Sequence, residues 1–400
     1  MEEKKRKLSR RRWLEIGIGA LLVLLLISWA AVLCATETDR EASAARKRKF
    51  AVARVVDVQE DDGEAQDWTE GRRIGQQQLE VEILTGEWKG VRLETINYLT
   101  IYTNVDAREG TRIIVRLDVD DDGQPYVVSV PNYDRAPVLA GLALVFAALL
   151  VVIGRKKGLM ALAGLLYTLA CIWFIQVPMI LRGADPVWIT ILIVVLTTGA
   201  SLLLLTGISK KTLCATLGCV GGVAAAGLFA ALFCVISPLN GFNMSEAEEL
   251  VLRSLDRDIH ISGLFVSGIL IASLGAVMDV AMSISSACWE LRELNPALPR
   301  KALLSSGMNI GKLFRSGMNI GKDAMGTMAN TLILAFSGSS LNLLLLCQIF
   351  DYPLIQIFNT DAIAIELIRG LAGSIGIILT VPLVALLASQ MMGPQKAAKK

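Results

Sequence analysis

Long apolar runs alternate with short charged connections along most of the chain, and the alternation is interrupted between Thr36 and Arg135. Ile16–Leu33, Ala136–Ile153, Trp188–Thr206 and Ile363–Gln390 are the clearest runs, each with few charges. A helix rises about 1.5 Å per residue, so about twenty residues cross a hydrocarbon core of about 30 Å. Runs of this length predict membrane spans at 15–34, 136–154, 159–181, 187–208, 212–237, 261–284, 326–349 and 362–389. Soluble cores do not repeat such runs eight times. The predicted fold class is therefore membrane all-α, a bundle of about eight transmembrane helices.

Inside the interruption the period changes to two. Phe50–Val58 alternates with β-branched residues, and Gln78–Leu84 and Val91–Leu99 flank the turn-forming Thr85–Gly90. Arg112–Asp118 and Tyr126–Val130 flank a second turn at Asp120–Gly123. About five short strands predict a small extracytoplasmic β domain at 50–135, a barrel or sandwich of OB-like kind. The predicted organisation is a basic tail (1–14), a first span (15–34), a linker (35–49), this domain, four spans (136–237) and an external loop (238–258). A three-helix core (259–390) follows, with a cytoplasmic amphipathic loop at 285–325, and then a tail (391–400).

Charge orients these elements. Basic clusters at Lys4–Arg12, Arg155–Lys157, Lys210–Lys211, Arg292–Lys322 and Lys396–Lys400 occupy every second connection. The positive-inside rule then makes both termini cytoplasmic and residues 35–135 extracytoplasmic. The cluster Arg46–Lys49 is discordant, but seven Lys/Arg precede the first span. That span also fits a signal peptide with cleavage near Leu33-Cys34-Ala35, and Ser9–Leu14 resembles a twin-arginine signal. Its length and the orientation of later spans favour a retained anchor.

Composition narrows the function classes. Apolar residues make up 54% and charged residues 19% of the chain, an excess over soluble domains. The segment Thr36–Arg135 is net acidic, which speaks against nucleic acid as a partner. A lipid bilayer, an unknown small solute or envelope protein, and a second copy of the chain are the partners expected. The seven cysteines all lie in or beside apolar runs and read as small buried hydrophobes. With one histidine, neither a metal site nor a cofactor is expected. Gly307–Lys312 is one residue short of a phosphate-binding loop, and Asp118, Asp120 and Asp122 begin a calcium-loop pattern that ends on Ser129 rather than Glu. No nucleophile–base pair is visible, so no enzyme is expected.

Chemistry concentrates inside the spans. Asp279 lies deep in the sixth, where an acid costs about 2.5–3.5 kcal/mol on insertion scales and commonly marks an ion or proton path. It also reads as a carboxyl holding helices together through Asn330 or Thr331. Asp256, Asp258 and His260 precede the same span, as a proton relay or external gate, or equally as caps and interfacial anchors. Glu366 and Arg369, three apart in the last span, predict an intramembrane ion pair. Ser337, Ser339, Ser340 and Asn342 make the seventh span unusually polar.

Three stretches, Asp256–Leu264, Ala272–Ile284 and Gly326–Ala335, together resemble the YibE/F-like bacterial membrane proteins. The resemblance implies a multi-pass membrane protein. A second similarity is to the RND permeases and the SecD/SecF translocation motors, over the last five spans. It rests on Gly275 and Asp279, Arg292-Glu293, and the later Thr327, Asn330 and Thr331. That likeness implies a proton-coupled transporter or export-assisting permease in which Asp279 carries the proton. The rival expectation is a non-transporting scaffold or sensor that binds its ligand through the β domain.

Overall fold

The computed structural model describes residues 48–120, 122–244, 247–253, 259–294 and 312–391. The predicted first span (15–34), Asp256 and Asp258 lie outside them. The described residues fall into two compact units, parting at Leu150 and Val151.

The first unit is a curled antiparallel sheet of six strands: β1 (Arg48–Asp61), β2 (Glu64–Ala65), β3 (Arg73–Ile83), β4 (Arg92–Leu99), β5 (Arg112–Val119) and β6 (Pro125–Tyr133). The order is β4-β3-β1-β5-β6, with β2 adding to the start of β3. β1 is long enough to serve two neighbours. Arg48–Arg54 pairs with β5 and Ala53–Asp61 with β3. Register shifts between Val55 and Asp57 and between Val58 and Glu60 bend it between them, as bulges do. The curl brings β4 against β6. Period-two burial follows directly: Leu79, Val81 and Ile83 of β3 face Ile113, Val115 and Leu117 of β5 across one core.

Two buried amides fasten the loop between β4 and β5. Gln77 donates to the Ala107 carbonyl (3.1 Å) and accepts from the Ala107 N–H (3.0 Å). Asn97 donates to Gln77 Oε1 (3.0 Å) and to the Val105 carbonyl (2.7 Å). Beside them Arg73 binds Asp61 and Asp106, the latter at 2.9 Å, and the Gly63 carbonyl. Gly75 makes this crossing possible, since at φ +149 a Cβ there would sit 2.6 Å from the Asp62 carbonyl oxygen. At the Asp120–Gly123 turn, Asp118 pairs with Arg116 (3.0 Å) and Asp120 accepts from the Gln124 N–H (2.6 Å). Asp118 Oδ2 and Asp120 thus have local partners, while Asp118 Oδ1 is buried without one.

The second unit is helical. α1 (Ala136–Cys171) runs on through a π turn (Ile172–Gln176) into α2 (Val177–Leu181); then come α3 (Pro186–Thr206), α4 (Lys210–Ile236), α5 (Ala247–Arg253) and α6 (Ile261–Leu294). α7 (Lys312–Ser339), α8 (Leu341–Ile349), α9 (Leu354–Asn359) and α10 (Asp361–Met391) complete it. Among the described residues five helices are long and apolar enough to cross a membrane, or six if the bent pair α7–α8 counts as one. Ala136–Leu181 enters that count once, although its 46 residues would reach about 69 Å if straight. The helix is interrupted at Arg155, whose φ of 49° and ψ of −128° are not helical. The region 326–349, expected as one span, bends by 56° between α7 and α8.

α4, α6, α7 and α10 form the centre of the bundle. Glycines let α4 and α10 approach almost backbone to backbone. A Cβ on Gly376 would lie 2.6 Å from Ala226 Cβ and 2.9 Å from the Gly222 carbonyl oxygen. Val277, Val280, Ala281 and Ile284 of α6 are fully buried against this pair. Ser285 fastens the same helix by donating to the Lys211 carbonyl (2.8 Å). Helix starts are capped locally: Asp185 accepts from the Val187 and Trp188 N–H groups, and Ser209 from the Thr212 N–H. Large apolar side chains such as Leu142, Leu149 and Val152 stand exposed. Such a surface is stable against acyl chains rather than water.

Candidate functional site

The bend between α7 and α8 falls on Ser337-Gly338-Ser339-Ser340. Ser337 donates to the Ile333 carbonyl (2.9 Å) and Ser339 to the Phe336 carbonyl (2.8 Å). Hydroxyls that bond back to their own helix in this way favour bending. Ser340 then leaves helical geometry (φ −96°, ψ 10°) and α8 sets off in a new direction.

A cavity of about 120 Å³ opens at this bend. Phe336, Ser337, Ser340 and Leu344 form one wall, and Glu366 and Gly370 of α10 lie on the other. Glu366 is held by Arg369, whose Nη1 donates to Oε1 at 2.7 Å. Its second oxygen, Oε2, is buried without a hydrogen-bond partner. Arg369 is shared with other groups. Its guanidinium stacks 5.6 Å from the Phe265 ring of α6, and Nη2 lies 3.3 Å from Met244 Sδ. At the first residue of α10, Asp361 accepts from Asn243. The 240–244 loop, the start of α6 and the start of α10 therefore meet at one end of the bundle.

His260, immediately before α6, belongs to this end and is exposed. Asp279 does not, since nineteen residues of helix, about 28 Å, separate the two. The side of α6 that Asp279 occupies follows from the helical period. At 100° per residue, the face carrying Val277, Val280, Ala281 and Ile284 turns Asp279 to the opposite side, where it is exposed. Gly268, Ala272, Gly275 and Ser283 share that outward face. Asn330 and Thr331 are also exposed, on α7, and Thr331 donates to its own helix at the Thr327 carbonyl (2.8 Å). Among the described residues no bond joins either to Asp279.

With this arrangement in view, the family assignment is direct: the family model of YibE/F-like proteins matches residues 142–313 and 312–394, which is more than half of the chain. The chain belongs to the YibE/F-like family. The match begins after the β sheet and takes in both the bend and the Glu366–Arg369 pair. No curated protein and no solved structure is significantly similar to this YibE/F-like chain.

Sequence reasoning singled out Glu366, Arg369, Ser337 and Ser340 but had no reason to place them together. It missed Phe265 and Met244 as partners of Arg369. The one local signal was an arginine near the start of an apolar helix, which needs acceptors and a π face from somewhere.

Proposed function

We propose that this YibE/F-like protein is a multi-pass protein of the bacterial cytoplasmic membrane that acts as a proton-coupled transporter or export-assisting permease. In this reading eight spans cross the bilayer, both termini are cytoplasmic, and residues 35–135 form the external OB-like domain. The break at Arg155 supports counting Ala136–Leu181 as two spans, because its basic Arg155-Lys156-Lys157 suits a cytoplasmic turn.

The observation that carries the proposal is Asp279. It is a carboxyl midway along an apolar helix, without a bonding partner among the described residues, on a face otherwise made of small side chains. A lone carboxyl there is stable neutral and costly charged, so it gains and loses a proton as its surroundings alternate between wet and dry. Asn330 and Thr331 on the neighbouring helix supply further polar groups along the same path, and Asp256, Asp258 and His260 supply an external gate. Purified protein in proteoliposomes with a trapped pH-sensitive dye tests this. Solute-dependent proton movement should be lost in Asp279→Asn while insertion is unchanged, and full proton movement in that variant would overturn the role.

A second reading is favoured by the β domain. Trp68, Tyr98 and Tyr102 expose 66%, 60% and 97% of their surface, and exposed aromatics of this kind mark contact surfaces. A scaffold or sensor using them predicts that Asp279→Asn is neutral and that Tyr98→Ala abolishes partner binding.

A further inference from the structure

We propose that the cavity at the bend between α7 and α8 is a binding site for a small monovalent organic cation, of the class of short alkylammonium ions. The argument begins with what the walls offer. Ser337 spends its hydroxyl proton on the Ile333 carbonyl and so presents lone pairs. Glu366 lines the opposite wall with one oxygen committed to Arg369 and the other buried without a hydrogen bond, so that a turn of the carboxylate brings a free acceptor to the cavity. Ser337 and Glu366 thus offer acceptors and Ser340 a hydroxyl that can accept as well as donate, so a ligand that brings donors finds partners on both walls.

Charge supports a cation. An ionised carboxylate has about four lone-pair sites, and Arg369 takes one of them. Arg369 itself divides its charge between Glu366, the Phe265 ring and Met244, which leaves Glu366 able to bridge a second cation. The remaining walls define the rest of the ligand. Phe336, Leu344 and Gly370 are apolar, and the volume of about 120 Å³ is a little below the cavity of about 150 Å³ that holds benzene in a protein interior. An ammonium group on a four- to six-atom hydrocarbon, about the size of butylammonium, meets both requirements. A break in a membrane helix places such a site where backbone and hydroxyl groups are free to line it.

Equilibrium binding to the full chain in nanodiscs, with no proton gradient, tests the site separately from proton coupling. The probes are butylammonium, butyrate and 1-butanol, read by calorimetry and by thermal melting. Butylammonium should bind and raise the melting temperature, with butanol weaker by about tenfold for want of the charge-assisted bond. Glu366→Gln should weaken butylammonium by at least that factor. Because that variant strands Arg369, Ser340→Leu serves as a second probe that fills the cavity and leaves the ion pair alone, and it should abolish binding while melting like the parent. Equal binding of butyrate, undiminished binding in Ser340→Leu, or no binding of butylammonium at millimolar concentration would each overturn the proposal.

Discussion

Arg369 reaches from α10 to lay its guanidinium 5.6 Å from the ring of Phe265 on α6, while its Nη1 holds Glu366 at 2.7 Å on its own helix. One side chain therefore joins two helices and neutralises a carboxylate. Arg369→Gln should cost more than the contacts it removes, because Glu366 is then left partly buried and unpaired. A loss of about 1–3 kcal/mol is expected, measured as thermal unfolding in detergent. The double variant Glu366→Gln/Arg369→Gln should recover much of it, since two neutral amides can bond each other.

The glycines divide into two groups, and the division is testable. Gly376→Ala drives a methyl onto the Gly222 carbonyl, 2.9 Å from the ideal Cβ, where backbone cannot give way. It should destabilise the bundle by about 1–3 kcal/mol or more. Gly268→Ala and Gly275→Ala meet nothing within 4 Å and should be neutral or slightly stabilising, since alanine is the better helix former by about 1 kcal/mol. Parallel melting curves of the three variants decide the matter.

In the β domain, the hydrogen bond from Arg73 holds the Asp61 carboxyl down to about 2, below its ordinary value of 3.8. The folded state thus binds the Asp61 proton more weakly than the unfolded chain does. The resulting stabilisation is fully present above the ordinary value and is lost as pH falls from there toward about 2. Hydrogen-exchange protection of the β3 amides in the full chain, taken relative to the intrinsic rate at each pH, should fall over that window. Asp61→Asn should be less stable at neutral pH and should lose this part of the acid dependence.

Gln77 should matter out of proportion to its surface. Replacing it with Leu leaves the Ala107 N–H, the Ala107 carbonyl and the Asn97 amide short of partners at once. A cost of about 1–3 kcal/mol per stranded group is the expected scale. Hydrogen exchange should rise first in the 100–111 loop, with β5 and β6 following.

How much of this was legible beforehand follows from the range of the forces involved. The strands at 50–58, 78–84, 91–99, 112–118 and 126–130 fall within observed strands, apart from Leu84 and Val91 at their margins. Alternation is a property of neighbours in sequence, and so are the turn glycines between them. The same holds for the apolar runs behind the described spans and for the spacing that pairs Glu366 with Arg369. The bend at Ser337–Ser340 was not legible. A stretch from 326 to 349 has the length and polarity of one span, and although Ser337-Gly338-Ser339-Ser340 favours bending, only the folded chain shows that the helix turns there and by how much.

Asp279 marks the limit most clearly. That a carboxyl lies deep in an apolar segment, with the hydrophobic periodicity around it, can be read from the residues alone, because hydrophobicity and helical period are local. Which way it points cannot, since that depends on which face of α6 the glycine-lined crossing of α4 and α10 buries. Residues 222, 277, 376 and 380 meet there from three separate helices, and close packing between distant segments selects the rotation that leaves Asp279 outward. The elements are settled by short-range chemistry, whereas the cavity at the bend and the exposure of the acid exist only once those elements pack.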